Sequence, residues 1–256
     1  MDFLKLNEQI WDKNAMEDHI WSRPVSTEEI INAKNNQWEI VLTPKKTVPK
    51  DWFPEDMSDI DVLCLASGGG QQGPIIAALG SNVTVFDNSQ EQLNKDILVA
   101  KRDGLKIKTV QGDMRDLSTF EDMSFDLIIH PWSNCFIDTV IPVWEESYRI
   151  LKHGGTLISG FANPLEYIFD MKSLDKGEFV VRHKIPYSDL TSLSEEEFQE
   201  IVVDEGEGVV FGHTLEDQIG GQIKAGFLIG GFYEDLGGTV LDKYINSSIA
   251  TKAIKI

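Results

Sequence analysis

The chain has 256 residues, long enough for one α/β domain with elaborations, and its 41% apolar content is ordinary for a globular protein. Its 42 acidic and 23 basic residues leave a formal net charge of −19, which argues against tRNA, rRNA or DNA as partners, because Lys and Arg neutralising phosphates supply most of that affinity. Cys64 and Cys135 are too few for a disulfide framework or a zinc site, so no metal is expected. The first residues lack the basic start and long apolar core of a signal peptide, and no apolar run approaches a membrane span, so a soluble protein of the reducing cytoplasm is expected.

Residues 1–58 read as a helical cap, with helix-like stretches over Asn7 to Ile20 and Ser26 to Asn36. Ser26-Thr27-Glu28-Glu29 has the spacing of a capping box, in which Ser26 caps the helix and Glu29 reaches back. An irregular passage with several prolines, Thr43 to Pro54, follows. Trp11, Trp21, Trp38 and Trp52 all fall in this unit, where they would form a small satellite core; Trp21 could instead wall a substrate pocket or face a cation.

Asp61 to Gly73 is an apolar run ending in glycines, and Gly68, Gly70 and Gly73 satisfy G-x-G-x-x-G, the spacing of a nucleotide cradle on bare backbone. The next strand, Asn82 to Phe86, stops at Asp87, 19 residues after Gly68, where a carboxylate can reach both hydroxyls of a ribose. Asn88 stands beside it. A third strand, Leu105 to Gln111, ends at Gly112-Asp113-Met114, so a second acid lines the same sheet edge. The alternative for both acids is helix capping.

These residues resemble the class I S-adenosylmethionine-dependent methyltransferases, especially the small-molecule branch known as methyltransferase type 11. Phe125 to Ile129 resembles that family's fourth strand, and Leu151 to Leu157 its turn into the fifth. The resemblance implies a Rossmann-like α/β fold, with a mostly parallel seven-stranded sheet and an antiparallel last strand. It also implies a cofactor core over residues 59–162. The backbone of Ala66, Ser67, Gly68 and Gly70 would hold the methionine end of S-adenosylmethionine, Asp87 the ribose, Asp113 the adenine amino group and Met114 the ring. Cys64 stands where the family usually has an acid and Ala66 where it has a glycine; Gln71 and Gln72 could supply amides in compensation. His130, in the sequence His130-Pro131-Trp132-Ser133-Asn134 at the end of the fourth strand, is the first candidate for a general base beside the methyl group; the alternative is a histidine that packs and hydrogen-bonds near the cofactor without proton transfer. Asn134, His183, Tyr187 and His213 join Trp21 as pocket candidates.

Residues 163–212 read as an insert or lid, with a short helix (Pro164 to Met171), a strand-like Glu178 to Lys184, the turn Ile185-Pro186-Tyr187, and a stretch from Ser194 to Gly208 with seven acids and no base. Residues 213–256 would complete the sheet through a helix ending at Gly226 and two strands, Phe227 to Tyr233 and Ser248 to Ile256. The expected activity is methyl transfer to a small molecule, leaving S-adenosylhomocysteine. The alternatives are a nicotinamide-dependent oxidoreductase, since Tyr148 and Lys152 have Y-x-x-x-K spacing, and a cofactor-binding protein without transferase activity. Tyr148 and Lys152 are expected on one amphipathic helix with Val143, Trp144, Ser147, Ile150 and Leu151, as packing residues.

Overall fold

The computed structural model describes residues 2–256. Five segments form parallel strands: β1 (Asp61–Leu65), β2 (Asn82–Asp87), β3 (Ile107–Gln111), β4 (Phe125–His130) and β5 (Leu151–Ala162). A strand buried on both faces needs no polar alternation, which is why β1, β2 and β4 carry nearly unbroken apolar runs, whereas β3, at the sheet edge, is partly exposed and mixes polar with apolar residues. Alternate residues of β1 feed two cores. Val62 and Cys64 pack with Ile76, Val85 and Ile129 on one face, while Leu63 and Leu65 pack with Phe86, Ile128 and Trp144 on the other. Trp144 is fully buried, and truncating such a side chain to alanine costs about 3 to 5 kcal/mol.

The sheet order is β3-β2-β1-β4-β5-β9-β8. Strand β9 (Ser248–Lys255) runs antiparallel between β5 and β8 (Phe227–Asp235), as expected of the last strand. Helices α3 (Gln72–Ala78), α4 (Gln90–Asp103), α5 (Ile141–Ile150) and α9 (Gly221–Ala225) connect the strands.

Above the carboxyl ends of β1 to β5 sit two segments far apart in sequence. One is α1 (Phe3–Met16); α2 (Thr27–Lys34), which follows it, packs into the main core instead and starts with the expected capping box: Ser26 accepts from Glu29 N and Glu29 accepts from Ser26 N. The other is the insert, with α6 (Met171–Asp175), β6 (Tyr187–Ser188), α7 (Asp189–Ser192), α8 (Glu195–Phe198) and β7 (Phe211–Gly212). Asn7 clasps the two together. Its amide donates to Phe136 O and Val209 O, both at 3.1 Å, and accepts from Val209 N at 2.7 Å. Ile10, Val202, Val209 and Phe211 form a third small core around this clasp.

Several expectations need correction. Lys152 is not on the helix with Tyr148: α5 stops at Ile150, because Leu151 turns extended to bury against Phe125, and Lys152 lies in β5. Glu178 to Lys184 makes only one bridge, Val181 to Phe169, since Phe179, Val180 and Val181 are exposed with no strand alongside to pair with. The helix expected over Pro164 to Met171 is broken into a 3₁₀ turn, Pro164–Ile168, and α6, because Asn163 and Asp170 each cap a separate start. The tryptophans do not form one satellite core. Trp52 belongs to the main core with Trp38 packed on it, while Trp11 and Trp21 face the cleft.

Candidate cofactor and acceptor site

A cavity of about 480 Å³ lies between the carboxyl ends of the strands and the roof made by α1 and the insert. That is a usual size for a small-molecule site at a crevice of an α/β sheet. Its floor includes Ala66, Ser67 and Gly68 of the loop after β1. A Cβ on Gly68 would stand 2.6 Å from Gln92 Cβ and 3.0 Å from Asp87 Oδ2, so only glycine fits. Gly70 has φ +71° and no room beside Pro24. An alanine at position 66 would cost little at negative φ, but Ala66 has φ +46°. The left-handed region costs a residue with a Cβ about 1 to 2 kcal/mol, a strain that the family's usual glycine would not carry.

The loop is held from β2 and α4. Gly68 N donates to Asp87 Oδ2 at 2.9 Å, Gly69 N to Gln92 O at 3.0 Å and Gly70 N to Asp96 Oδ2 at 3.0 Å. Asp96 was not singled out by sequence reasoning. It is fully buried, and burial raises its carboxyl well above the usual range against the pull of the Gly70 N–H. Cys64, in place of the first-strand acid, is also buried, and its thiol is pushed up by burial and by Asp96. The acid missing from β1 thus has a counterpart reaching the loop from α4.

Asp87 borders the cavity at the tip of β2. Its Oδ1 accepts from Ser89 N at 2.9 Å, so each oxygen holds one backbone N–H and retains further acceptor capacity toward the cavity. Burial raises its pKa, opposed by these N–H groups. Ser89, not Asp87, caps α4. Asp113 also lines the cavity but caps no helix; its carboxylate takes Arg115 Nε at 3.1 and 3.0 Å and Nη2 at 2.6 Å. Arg115 also pairs with Asp138. Met114 lines the same end.

Gln71, Gln72 and Asn88 border the cavity, yet their amides are engaged with backbone carbonyls of the N-terminal segment. Gln71 donates to Trp21 O and Arg23 O, Gln72 to Val41 O, and Asn88 to Leu4 O. His130 lies one layer beneath the lining. It is fully buried, with Nδ1 2.9 Å from Leu65 O and Nε2 2.6 Å from the Asn134 side-chain amide. That amide continues to Gln218 at 2.9 Å, and His213 Nε2 donates to Asn134 O at 2.9 Å. Burial lowers the pKa of both histidines. Asn134 and His213 therefore form a polar layer with His130 and Gln218 that supports the floor.

Trp21 and Tyr187 do line the cavity; His183 lies outside the lining, its ring edge-on to Tyr187 at 5.0 Å. Glu166, just after β5, lines it too and was missed, since a lone acid in an insert has no distinguishing sequence signal. Burial, with Asp242 nearby, lifts its carboxyl to about 7. Lys152 lies far from this edge: its ammonium bridges Asp61 at the start of β1 and Asp126 early in β4, both at 2.8 Å. The Tyr148/Lys152 spacing is therefore a packing and ion-pair feature at the other end of the sheet.

Residues 63–159 match the family described as a methyltransferase domain. Over 250 residues the chain is 51% identical to a Bacillus subtilis (strain 168) protein described as the uncharacterized methyltransferase YbaJ, covering 98% of this chain and 97% of that one. A stretch of 104 residues, 40% of this chain and 27% of the other, is 34% identical to sterol 24-C-methyltransferase erg-4 of Neurospora crassa. The crystal structure of an S-adenosylmethionine dependent methyltransferase from Mesorhizobium loti has the same fold, with a TM-score of 0.60 at 14% identity over 80% of this chain and 95% of that one.

Proposed function

Because the chain belongs to the class I S-adenosylmethionine-dependent methyltransferases, we propose that it methylates a small molecule bound in the cavity beside the glycine loop. The observation that carries this reading is the juxtaposition of bare backbone at Gly68 with the Asp87 carboxylate, both on the cavity wall. These residues fit the donor: the Gly68 surface admits close approach, Asp87 has spare acceptor capacity for a diol, and Met114 offers an apolar face for a base.

S-adenosylmethionine supplies an electrophilic methyl group on a sulfonium. The chain's own contribution is alignment and exclusion of water. Holding two reactants in line contributes roughly 7 to 11 kcal/mol without any protein proton donor. The roof of α1 and the insert, clasped by Asn7, would act as a lid that keeps water from the donor. His130 would position the floor through Leu65 O and Asn134.

Titration calorimetry with S-adenosylhomocysteine and with NADH tests the reading. Saturable binding of the first and none of the second is expected; the reverse would return the chain to nicotinamide chemistry.

A further inference from the structure

The acceptor half of the cavity has an unusual composition. Its charged side chains are Glu166, Asp175, Asp189, Glu205 and Glu207, and among the described residues that line it there is no Lys or Arg. His19 stands exposed at the rim. Interleaved with the acids are aromatic rings: Trp11, Trp21, Trp132, Phe136, Tyr167 and Tyr187. Tyr167 stacks on Tyr187 with centroids 5.9 Å apart and planes at 17°, and Trp11 meets Phe136 edge-on at 5.1 Å.

The acids are not equivalent. Asp189 is satisfied within the protein, its oxygens accepting from Tyr187 Oη at 2.7 Å and Val210 N at 2.6 Å. Asp175, Glu205 and Glu207 are exposed at the rim. Glu166 is different: it is half-buried on the cavity wall, and no protein hydrogen-bond donor among the described residues meets its carboxylate. Partial burial without a donor disfavours the charged carboxylate, and a cation placed against it offsets that cost. Aromatic faces attract the same kind of charge. An anionic acceptor would meet only repulsion here, and a neutral one would leave Glu166 unpaired.

We infer that the acceptor is a small protonated amine, held between the aromatic walls and Glu166, and that Glu166 takes its proton. This rests on the methyltransferase reading above and names its substrate class. The proton passes from the ammonium nitrogen to a Glu166 oxygen, the nitrogen keeps the electron pair, and the proton leaves to solvent by way of the acidic rim.

The test uses three probes of one size and different charge, benzylamine, benzyl alcohol and benzoate, titrated calorimetrically at pH 8 into protein saturated with S-adenosylhomocysteine. Benzylamine should bind about tenfold or more tighter than benzyl alcohol, and benzoate weakest. Equal affinities, or preference for the alcohol or the acid, overturns the inference. Glu166→Gln should reduce benzylamine affinity about tenfold while changing benzyl alcohol and S-adenosylhomocysteine little; unchanged benzylamine affinity removes Glu166 from the site. Failure of S-adenosylhomocysteine to bind would instead count against the parent reading, and the three probes, titrated into the unloaded protein, would still report the charge preference of the cavity.

Discussion

Asp96 Oδ2 lies 3.0 Å from Gly70 N, in a carboxyl group wholly buried beneath the glycine loop. Its other oxygen has no partner, and burial raises the pKa of this carboxyl well above the usual range. An acid from α4 thus holds the glycine loop, while position 64 of β1 carries a cysteine and no acid.

If Asp96 acts by positioning the loop, Asp96→Asn, which preserves an acceptor for Gly70 N, should bind S-adenosylhomocysteine nearly as wild type. Asp96→Ala should lose about 0.5 to 1.5 kcal/mol, the worth of a neutral hydrogen bond. Calorimetry on both variants distinguishes this from a role for charge, in which the asparagine would be as damaging as the alanine.

Asp87 is expected to matter more, since its carboxylate both borders the cavity and holds Gly68 N. Asp87→Ala should weaken S-adenosylhomocysteine binding by about 1.5 to 3 kcal/mol, the range for a hydrogen bond to a charged group. A well-folded variant with an unaltered dissociation constant would withdraw the ribose assignment.

His130→Gln separates support from proton transfer. With both ring nitrogens engaged in the buried layer, we expect turnover within about tenfold of wild type, whereas an abolished proton acceptor costs about 10² to 10⁴-fold. Because burial holds the folded-state pKa of His130 below its ordinary value, the unfolded chain binds more protons in acid. Stability should therefore fall as pH drops below about 6.5, and the variant should lose part of that sensitivity. Melting curves between pH 5 and 8 and a turnover assay check the two halves.

Glu166 carries the opposite sign. Its pKa of about 7 in the folded chain exceeds the ordinary 4.5, so the folded state holds the extra proton and stability declines as pH rises between those values. Asp242 is the charged neighbour that adds to burial, and Cys135 and Tyr167 are the other titratable groups alongside. Glu166→Gln should raise Tm at pH 8 and change it little at pH 4. A stabilisation that does not depend on pH would indicate a packing effect instead.

The roof offers a prediction about motion. The insert reaches α1 chiefly through Asn7, Asn14 and one small core, so its opening would break few contacts with α1. Hydrogen exchange in residues 163–212 should slow when S-adenosylhomocysteine is added, beyond the slowing at the glycine loop. Identical exchange with and without ligand would make the insert a static wall.

What could be read from the chain alone was whatever depends on neighbours in sequence. Strands β1, β2 and β4 were legible because burial on both faces requires unbroken apolar runs, and the Ser26 cap because its partner is three residues away. The glycine loop and Asp87 were legible because a strand, a turn and a helix bring the first two strand tips together at a nearly constant spacing. Lys152 was misplaced because periodicity does not distinguish the last turn of a helix from the first residues of a strand that bulges. Asp96 beneath Gly70, Glu166 in the aromatic half of the cleft, and the Asn7 clasp on Val209 across 202 positions carry no local signature. Only the packing of α1, α4 and the insert around one cavity decides whether such polar side chains are solvated or buried. That difference sets their pKa values, their partners and hence their chemistry.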